Sequence, residues 1–340
     1  MARIALDAMG GDHAPKAPIA GALLALAELD SSHSVQLVGR SSVIEEELVS
    51  LLDGELAHLR AGRDRLTIVD APDVIEMNEK PITAIRGKPN SSMVIGLKLQ
   101  ATGDSDAFVS AGNTGAQMAA STVVLRLHGG LTRPAIGTIF PTAINPVIVL
   151  DAGANVDCSA EELVQFARLG SVYAEDILGR ERPGVGLLSI GEEAEKGNQA
   201  VLKAHKLLKE TDLHFVGNVE GRDVLAGASH LGTVDVVVCD GFVGNVLLKF
   251  YESVPRLILE LMRRAGIEQG QITRALQGFD YSDYGGAPLL GVKGISIISH
   301  GKSSPRAIKN AIGVARRAVE SGMNEHIGRR IAESIPEETS

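Results

Sequence analysis

Short runs of β-branched and aliphatic residues recur along this chain and alternate with longer segments whose apolar residues fall at helical spacing. The strand-like runs are Ile4–Leu6, Ser34–Val38, Leu66–Val69, Ala107–Ser110, Val147–Leu150, Val185–Ile190, Leu213–Val216, Val234–Val238 and Gly294–Ile298. Between them, Ala17–Leu29, Ser41–Leu52, Ala160–Leu178 and Lys196–Leu208 carry the helical period. A chain built this way is limited to an α/β fold with a largely parallel sheet and helical crossovers. Composition agrees with buried strands: 44% of residues are hydrophobic but only 3% aromatic, without a Trp. The core is therefore expected to be made of Val, Ile, Leu and Ala.

At 340 residues the chain exceeds the usual single-domain size, which suits one large α/β unit or two lobes. No Pro/Ser-rich linker, repeat or low-complexity tract divides it, and its most irregular stretch is Asp280–Pro288. One continuous catalytic domain over residues 1–340 is expected, with a frayed tail from Glu333 to Ser340. The net charge of −9 argues against a nucleic-acid partner, which would call for a basic excess. Cys158 and Cys239 lie far apart without a CxxC partner, so buried free thiols are expected rather than zinc or a disulfide. Met1 runs into Arg3–Asp7 without a leader pattern, and no apolar run reaches the roughly 20 residues that span a bilayer. The expectation is a cytoplasmic protein.

In open α/β sheets, ligands bind beyond the carboxyl ends of strands, so the residues after each run carry the functional information. Asp7-Ala-Met-Gly10-Gly11-Asp12-His13 follows the first run, and Ser110-Ala-Gly112-Asn113-Thr114-Gly115 follows the fourth. Asp151-Ala-Gly153-Ala-Asn155, Gly191–Asn198, Asp240-Gly241-Phe-Val-Gly244-Asn245 and Ser299-His300-Gly301-Lys302 repeat the theme. Glycines admit close backbone approach, and free N–H groups at helix starts point partial positive charge at a ligand, so such turns suit a small oxyanion. Asp7, Asp12, Asp151 and Asp240 are read as turn-holding carboxylates rather than a metal cluster. Asn245 also suits a helix N-cap, Lys196 a solvated lysine at a helix entry, and His13 and His300 local hydrogen bonding.

The GxxxxGK[ST] phosphate loop and the GxGxxG dinucleotide fingerprint are absent, as is a GxSxG nucleophile elbow. Nothing therefore points to a nucleotide or to a covalent acyl-enzyme, and direct attack by a bound nucleophile is the simpler chemistry.

Taken together, Asp7–Pro15, Ser91–Val94, Ser110–Gly115, Asp151–Asn155, Glu195–Asn198, Gly217–Glu220, Asp240–Asn245 and Tyr284–Gly286 closely resemble the phosphate acyltransferases of bacterial phospholipid synthesis. The resemblance covers almost the whole chain. It implies a three-layer α/β/α fold like that of isocitrate and isopropylmalate dehydrogenases and phosphate acetyltransferases, acting as a homodimer. The implied reaction moves a fatty acyl group from acyl-acyl-carrier protein to inorganic phosphate, without a cofactor or metal. The family's active Lys and Asn match Lys196 and Asn245, which gives the catalytic pair. Gly10, Gly11, Asn113, Thr114, Gly115, Asn155, Gly197, Gly244, His300 and Gly301 are the expected phosphate-binding residues. The resemblance further implies peripheral contact with an anionic membrane and hand-over of product to the membrane glycerol-3-phosphate acyltransferase.

From Val246 to Ile267, Leu247, Phe250, Tyr251, Val254, Ile258, Leu261 and Met262 read as one apolar stripe, interrupted by Pro255 and followed by Arg263-Arg264. By composition such a helix suits a core or dimer contact first, and it can also lie on the surface of an anionic membrane. Residues 246–275 are expected to project for both purposes, with Leu259, Leu261, Met262 and Ile267 meeting the membrane. Acyl-carrier protein is acidic, and Arg63, Arg65, Arg126, Arg133, Lys249, Arg256, Arg263 and Arg264 are candidates to meet it. Competing readings are a phosphate acetyltransferase using coenzyme A thioesters, a metal- and NAD-dependent hydroxyacid dehydrogenase on the same fold, and a membrane scaffold without activity.

Overall fold

The structure, a computed structural model, describes residues 1–142, 144–268, 270–271 and 285–334, apart from the side chain of Arg256. The irregular stretch before residue 285, Tyr284 of the last family block, residues 272–275 of the projecting region and the tail beyond residue 334 lie outside the described residues. The chain divides into two compact units, one formed by residues 1–130 with 284–340 and the other by residues 131–283.

The strands of the first unit are β1 (Arg3–Asp7), β2 (Ser34–Gly39), β3 (Leu66–Asp70) and β4 (Ala107–Ser110). In the second unit β5 (Ala135–Ile136), β6 (Thr138–Phe140), β7 (Val147–Leu150), β8 (Val185–Leu188), β9 (Phe215–Val219), β10 (Ala228–Ser229), β11 (Gly232–Thr233) and β12 (Val236–Val238) follow. The chain then returns to the first unit with β13 (Ala287–Leu290) and β14 (Ser296–Ile298).

Within the first unit the order is β3-β2-β1-β4-β14-β13, with every neighbouring pair parallel except β13 with β14. All four residues of β4 are buried, so both faces of this sheet are covered. The helices Lys16–Glu28 and Pro305–Glu320 pack together and onto its strands, and Ser92–Thr102 and Thr114–Val124 form a second such pair. The second unit has the order β6-β7-β12-β8-β9, parallel from β7 onward, with β6 antiparallel at one edge. Helices Ala160–Asp176, Gln199–Lys209 and Gly241–Arg264 cover it. Val147–Leu150 and Val236–Val238 are buried on both faces, as their unbroken β-branched and aliphatic runs require.

Parallel pairing fixes what matters for a site. Since β1, β4 and β14 run in one direction, the turns after Asp7, Ser110 and Ile298 share one sheet edge. By the same logic the turns after Leu150, Leu188, Val219 and Val238 share one edge of the second sheet.

Candidate functional site

In the first unit the site residues are organised by one buried carboxylate. Asp7 ends β1 at 2% exposure. Its Oδ2 accepts a bond from the Ser110 hydroxyl at 2.7 Å, and its Oδ1 accepts the Met9 N–H at 3.0 Å. Burial pushes the Asp7 carboxyl above its ordinary range, against hydrogen bonds from Ser92, Ser110, Met9 and Gly10 that favour the charged form. Ser110 Oγ accepts the Gly112 N–H at 3.0 Å, so the turns after β1 and β4 are locked together. The β14 turn joins them, because Asp12 N–H donates to the Gly301 carbonyl at 2.7 Å. Gly11 sits there with φ +101°, and a Cβ would come within 3.0 Å of that same carbonyl, so the contact needs glycine twice over.

Gly10, Gly11, Asn113, Thr114, Gly115, His300 and Gly301 are thereby gathered at one edge of the first sheet. Their roles differ from the sequence expectation at Asn113. Its Oδ1 caps the Thr114–Val124 helix by accepting the Ala116 N–H, and its amide donates to the carbonyls of Glu76, Met77 and Glu79. That side chain is spent on holding a neighbouring loop, which leaves exposed Thr114 and partly exposed Gly115 to present the helix N-terminus. His300 is exposed, and its Nδ1 accepts the Lys302 N–H at 3.1 Å, a local bond of the kind its setting suggested.

The second unit repeats the device. Asp151, fully buried after β7, collects five N–H donors. Oδ1 accepts from the backbones of Ile136, Gly153 and Ala154, and Oδ2 from the backbone and side chain of Asn155. Burial is the larger influence and raises the Asp151 carboxyl, with those donors opposing it. Asn155 is 7% exposed and its amide also donates to Pro134 O at 2.8 Å, so this side chain too holds the turn.

The helix Gly241–Arg264 starts against that turn. Asp240, not Asn245, is its N-cap, accepting the Val243 N–H at 2.8 Å. Gly241 N–H donates to Asn155 O at 2.7 Å, and a Cβ on Gly244 would lie 1.9 Å from the Asp151 carbonyl oxygen. Gly244 thus permits helix and turn to touch, and Asn245 beside it is exposed next to Gly153.

Lys196 stands on the loop after β8. Its N–H donates to Glu193 O at 3.0 Å and its carbonyl accepts the Ser189 hydroxyl at 3.1 Å, while its side chain is exposed. Among the described residues no carboxylate lies within ion-pairing distance of its ammonium group. The helix begins three residues later at Gln199, capped by the Asn198 side chain, so Lys196 and Gly197 belong to the loop rather than to the helix expected from residue 196. Within this unit, Asn155, Gly244 and Asn245 meet at the Asp151 turn, and the Lys196–Gly197 loop lies on the same sheet edge.

A family model described as fatty acid synthesis protein matches residues 2–326. The chain belongs to that family. A phosphate acyltransferase of Desulforamulus reducens is similar at 49% identity over 333 residues, covering 95% of each chain. One of Heliobacterium modesticaldum is 47% identical over 344 residues, covering 97% of this chain and 98% of the relative. Among solved structures, the EutD phosphotransacetylase of Staphylococcus aureus superposes with a TM-score of 0.61 at 14% identity, over 94% of both chains. That likeness concerns the fold, and it agrees with the α/β architecture expected from sequence.

The remaining chemistry of this fatty acid synthesis family member is mostly structural. Cys239 is buried with its thiol pushed far up, and burial raises Cys158 to about 12, which disfavours the thiolate at both. Of the basic residues considered for a carrier-protein surface, Arg65 instead donates to the carbonyls of Leu26, Leu29 and Asp30 and closes the end of the Lys16–Glu28 helix. Arg63 donates to Leu66 O, Arg133 pairs with Glu162, Lys249 with Glu252 and Arg264 with Glu260. The side chain of Arg256 lies outside the described residues.

The long helix also differs from its sequence reading. It starts at Gly241 rather than Val246 and runs through Pro255 to Arg264. Tyr251 turns inward at 7% exposure, edge-on to Phe140 with its hydroxyl donating to Pro141 O, and Leu247 packs against the same core. Of the residues read as one stripe, Phe250, Ile258 and Leu261 are exposed, and Val246 and Leu257, with Phe242 and Val243 at the helix start, add to the exposed apolar surface. Leu259 and Met262 are partly exposed, and Ile267 lies exposed beyond the helix end. Among the described residues no helix is long and apolar enough to cross a membrane.

Proposed function

We propose that this chain transfers a fatty acyl group from acyl-acyl-carrier protein to inorganic phosphate, giving acyl phosphate for phospholipid synthesis. The observation that carries the reading is the Lys196 ammonium, exposed and without a carboxylate partner among the described residues, on a loop whose backbone is tied at both ends. Phosphate is already anionic at neutral pH, so the reaction needs no strong base. One phosphate oxygen attacks the thioester carbonyl, the tetrahedral oxyanion collapses, and the carrier thiolate leaves with the C–S bond's electron pair. The protein must position the reactants and offset growing negative charge. Lys196 is assigned to that charge and Asn245 to hydrogen bonding. Within the second unit the Gly197 N–H is assigned to anion binding, and within the first unit the N–H groups of Gly11, Thr114, Gly115 and Gly301, that of Gly10 being held by Asp7, are assigned to an anion-suited cluster of turns of their own.

The test supplies orthophosphate with acyl-carrier-protein thioester or with coenzyme A thioester and traps acyl phosphate with hydroxylamine. Phosphate-dependent hydroxamate formation from the carrier-protein thioester is expected. Product from coenzyme A thioester alone would favour the acetyltransferase-like reading, and thioester loss indifferent to phosphate would end the proposal.

The same reading makes the enzyme a cytoplasmic homodimer that touches an anionic membrane and passes its product to the membrane glycerol-3-phosphate acyltransferase. The exposed stripe Val246–Leu261 beside Arg263 and Arg264 supports it, because apolar side chains flanked by cations suit an anionic lipid surface. Replacing Leu261 and Ile267 together by Glu is expected to shift the protein from pelleted anionic liposomes to the supernatant while turnover in solution is kept. Unchanged pelleting would place membrane contact elsewhere.

A further inference from the structure

The block Gly217–Glu220, which contributes to the family resemblance, has no role in the chemistry described so far. Its Asn218 is fully buried in β9, and its amide donates to the carbonyl of Glu193 at 2.7 Å. That carbonyl also accepts the N–H of Lys196 at 3.0 Å. A carbonyl can only accept, so the NH₂ of Asn218 must face Glu193 and its Oδ1 must face His205 Nδ1, 2.9 Å away. His205 therefore holds its proton on Nδ1 and donates it to Asn218. The ring is 5% exposed, stands edge-on to Phe215 with centroids 5.1 Å apart, and its Nε2 has no hydrogen-bond partner among the described residues. Three groups distant in sequence thus form one directed chain, His205 to Asn218 to the Glu193 carbonyl, ending where the Lys196 backbone is anchored.

We propose that Asn218, with His205 behind it, is the positioning residue that sets where the Lys196 ammonium stands. The loop between Gly191 and Asn198 is largely exposed; Glu192 is tied to Arg222 and His230 by ion pairs at the surface, which hold a loop less firmly than a buried hydrogen bond does. The amide of Asn218 reaches it from the buried interior of the sheet, and the Ser189 hydroxyl holds the Lys196 carbonyl from the other side. Without Asn218 the Glu193 carbonyl loses its one bond from the buried sheet, the 193–196 turn is left to the surface pairs of Glu192 and the Ser189 hydroxyl, and an ammonium placed to meet a developing charge moves off its mark. This proposal rests on the assignment of Lys196 to phosphate or oxyanion charge.

The experiment measures phosphate-dependent acyl-thioester turnover for Asn218→Ala, Lys196→Ala and the double variant, with a thermal melt on each. Asn218→Ala is expected to lower kcat about 10- to 100-fold, the scale of a small misplacement at a reacting centre, with KM for the acyl thioester unchanged. In the Lys196→Ala background the same change is expected to cost nothing more, since a residue acting only through Lys196 has nothing left to position. Losses that multiply in the double variant overturn the proposal. If Lys196→Ala is slow but Asn218→Ala matches the parent, the positioning role falls while the Lys196 assignment stands. A Lys196→Ala protein that turns over normally removes both. Should Asn218→Ala fail to fold, His205 carries the test: His205→Asn keeps an N–H where Nδ1–H lies and should retain turnover, whereas His205→Leu should lose it. Equal turnover of those two variants overturns the proposal.

Discussion

Lys196→Ala is expected to lower phosphate-dependent acyl turnover about 100- to 1,000-fold, the range seen when one group that stabilises a developing oxyanion is removed. The side chain is exposed and unpaired among the described residues, so its loss should leave stability within about 0.5 kcal/mol of the parent. That separation makes the variant informative. An ordinary solvated lysine would change neither turnover nor stability, and a structural one would change both. Lys196→Arg should recover part of the rate, because it restores charge but spreads it over a planar group that meets the anion differently. Steady-state turnover against orthophosphate concentration, with a thermal melt alongside, reads both effects. Turnover within a few-fold of the parent would show that the charge assignment is wrong.

The strands that carry this loop and its neighbours were legible because parallel, doubly covered strands write themselves as unbroken β-branched and aliphatic runs. Val147–Leu150 and Ala107–Ser110 have the same ends in the sequence pattern as in the fold. The edge strand Thr138–Phe140 is too short to stand out as a run, and in Ala287–Leu290 the internal Pro288 breaks the strand signal. The apolar pattern alone places the start of the long helix at Val246, five residues after its actual start at Gly241. The glycines at 241 and 244 suit a turn, but an Asp-Gly pair before an apolar segment, with Asp240 as cap, is the signal for the true start.

At the site, sequence showed which turns hold glycines but not what the asparagines do. Asn113 and Asn155 sit in anion-suited contexts, yet each spends its amide on distant carbonyls that only folding brings near. The chain His205–Asn218–Glu193 was likewise invisible, since its members lie on a helix, a strand and a loop. The division of the chain at residues 130 and 284 had no signature either, as no linker composition marks the two crossings. What sequence does record is a repeated device: a buried aspartate at a strand end, Asp7 or Asp151, that gathers N–H groups and so shapes the glycine turn beside it.

The strength of that device can be measured at Asp151. Asp151→Ala is expected to destabilise the protein by at least about 1–3 kcal/mol, the cost of leaving a buried N–H donor without its acceptor. Five donors lose their acceptor at once: three backbone N–H groups at Oδ1, and the backbone and amide of Asn155 at Oδ2. Asn155 then has less to hold it, and its carbonyl is the acceptor for Gly241 at the start of the long helix. The defect should therefore spread to the Gly244–Asn245 segment and depress turnover together with stability, unlike Lys196→Ala. Asp151→Asn supplies the internal control. Its amide oxygen can keep the three bonds at Oδ1, while its NH₂ meets two further donors at the Oδ2 position, so its loss should fall between that of the parent and that of Asp151→Ala. Urea unfolding followed by far-ultraviolet circular dichroism ranks the three proteins. An Asp151→Ala protein as stable as the parent would mean that the buried carboxylate does not hold this turn, and that the N–H groups around it find other acceptors when it is gone.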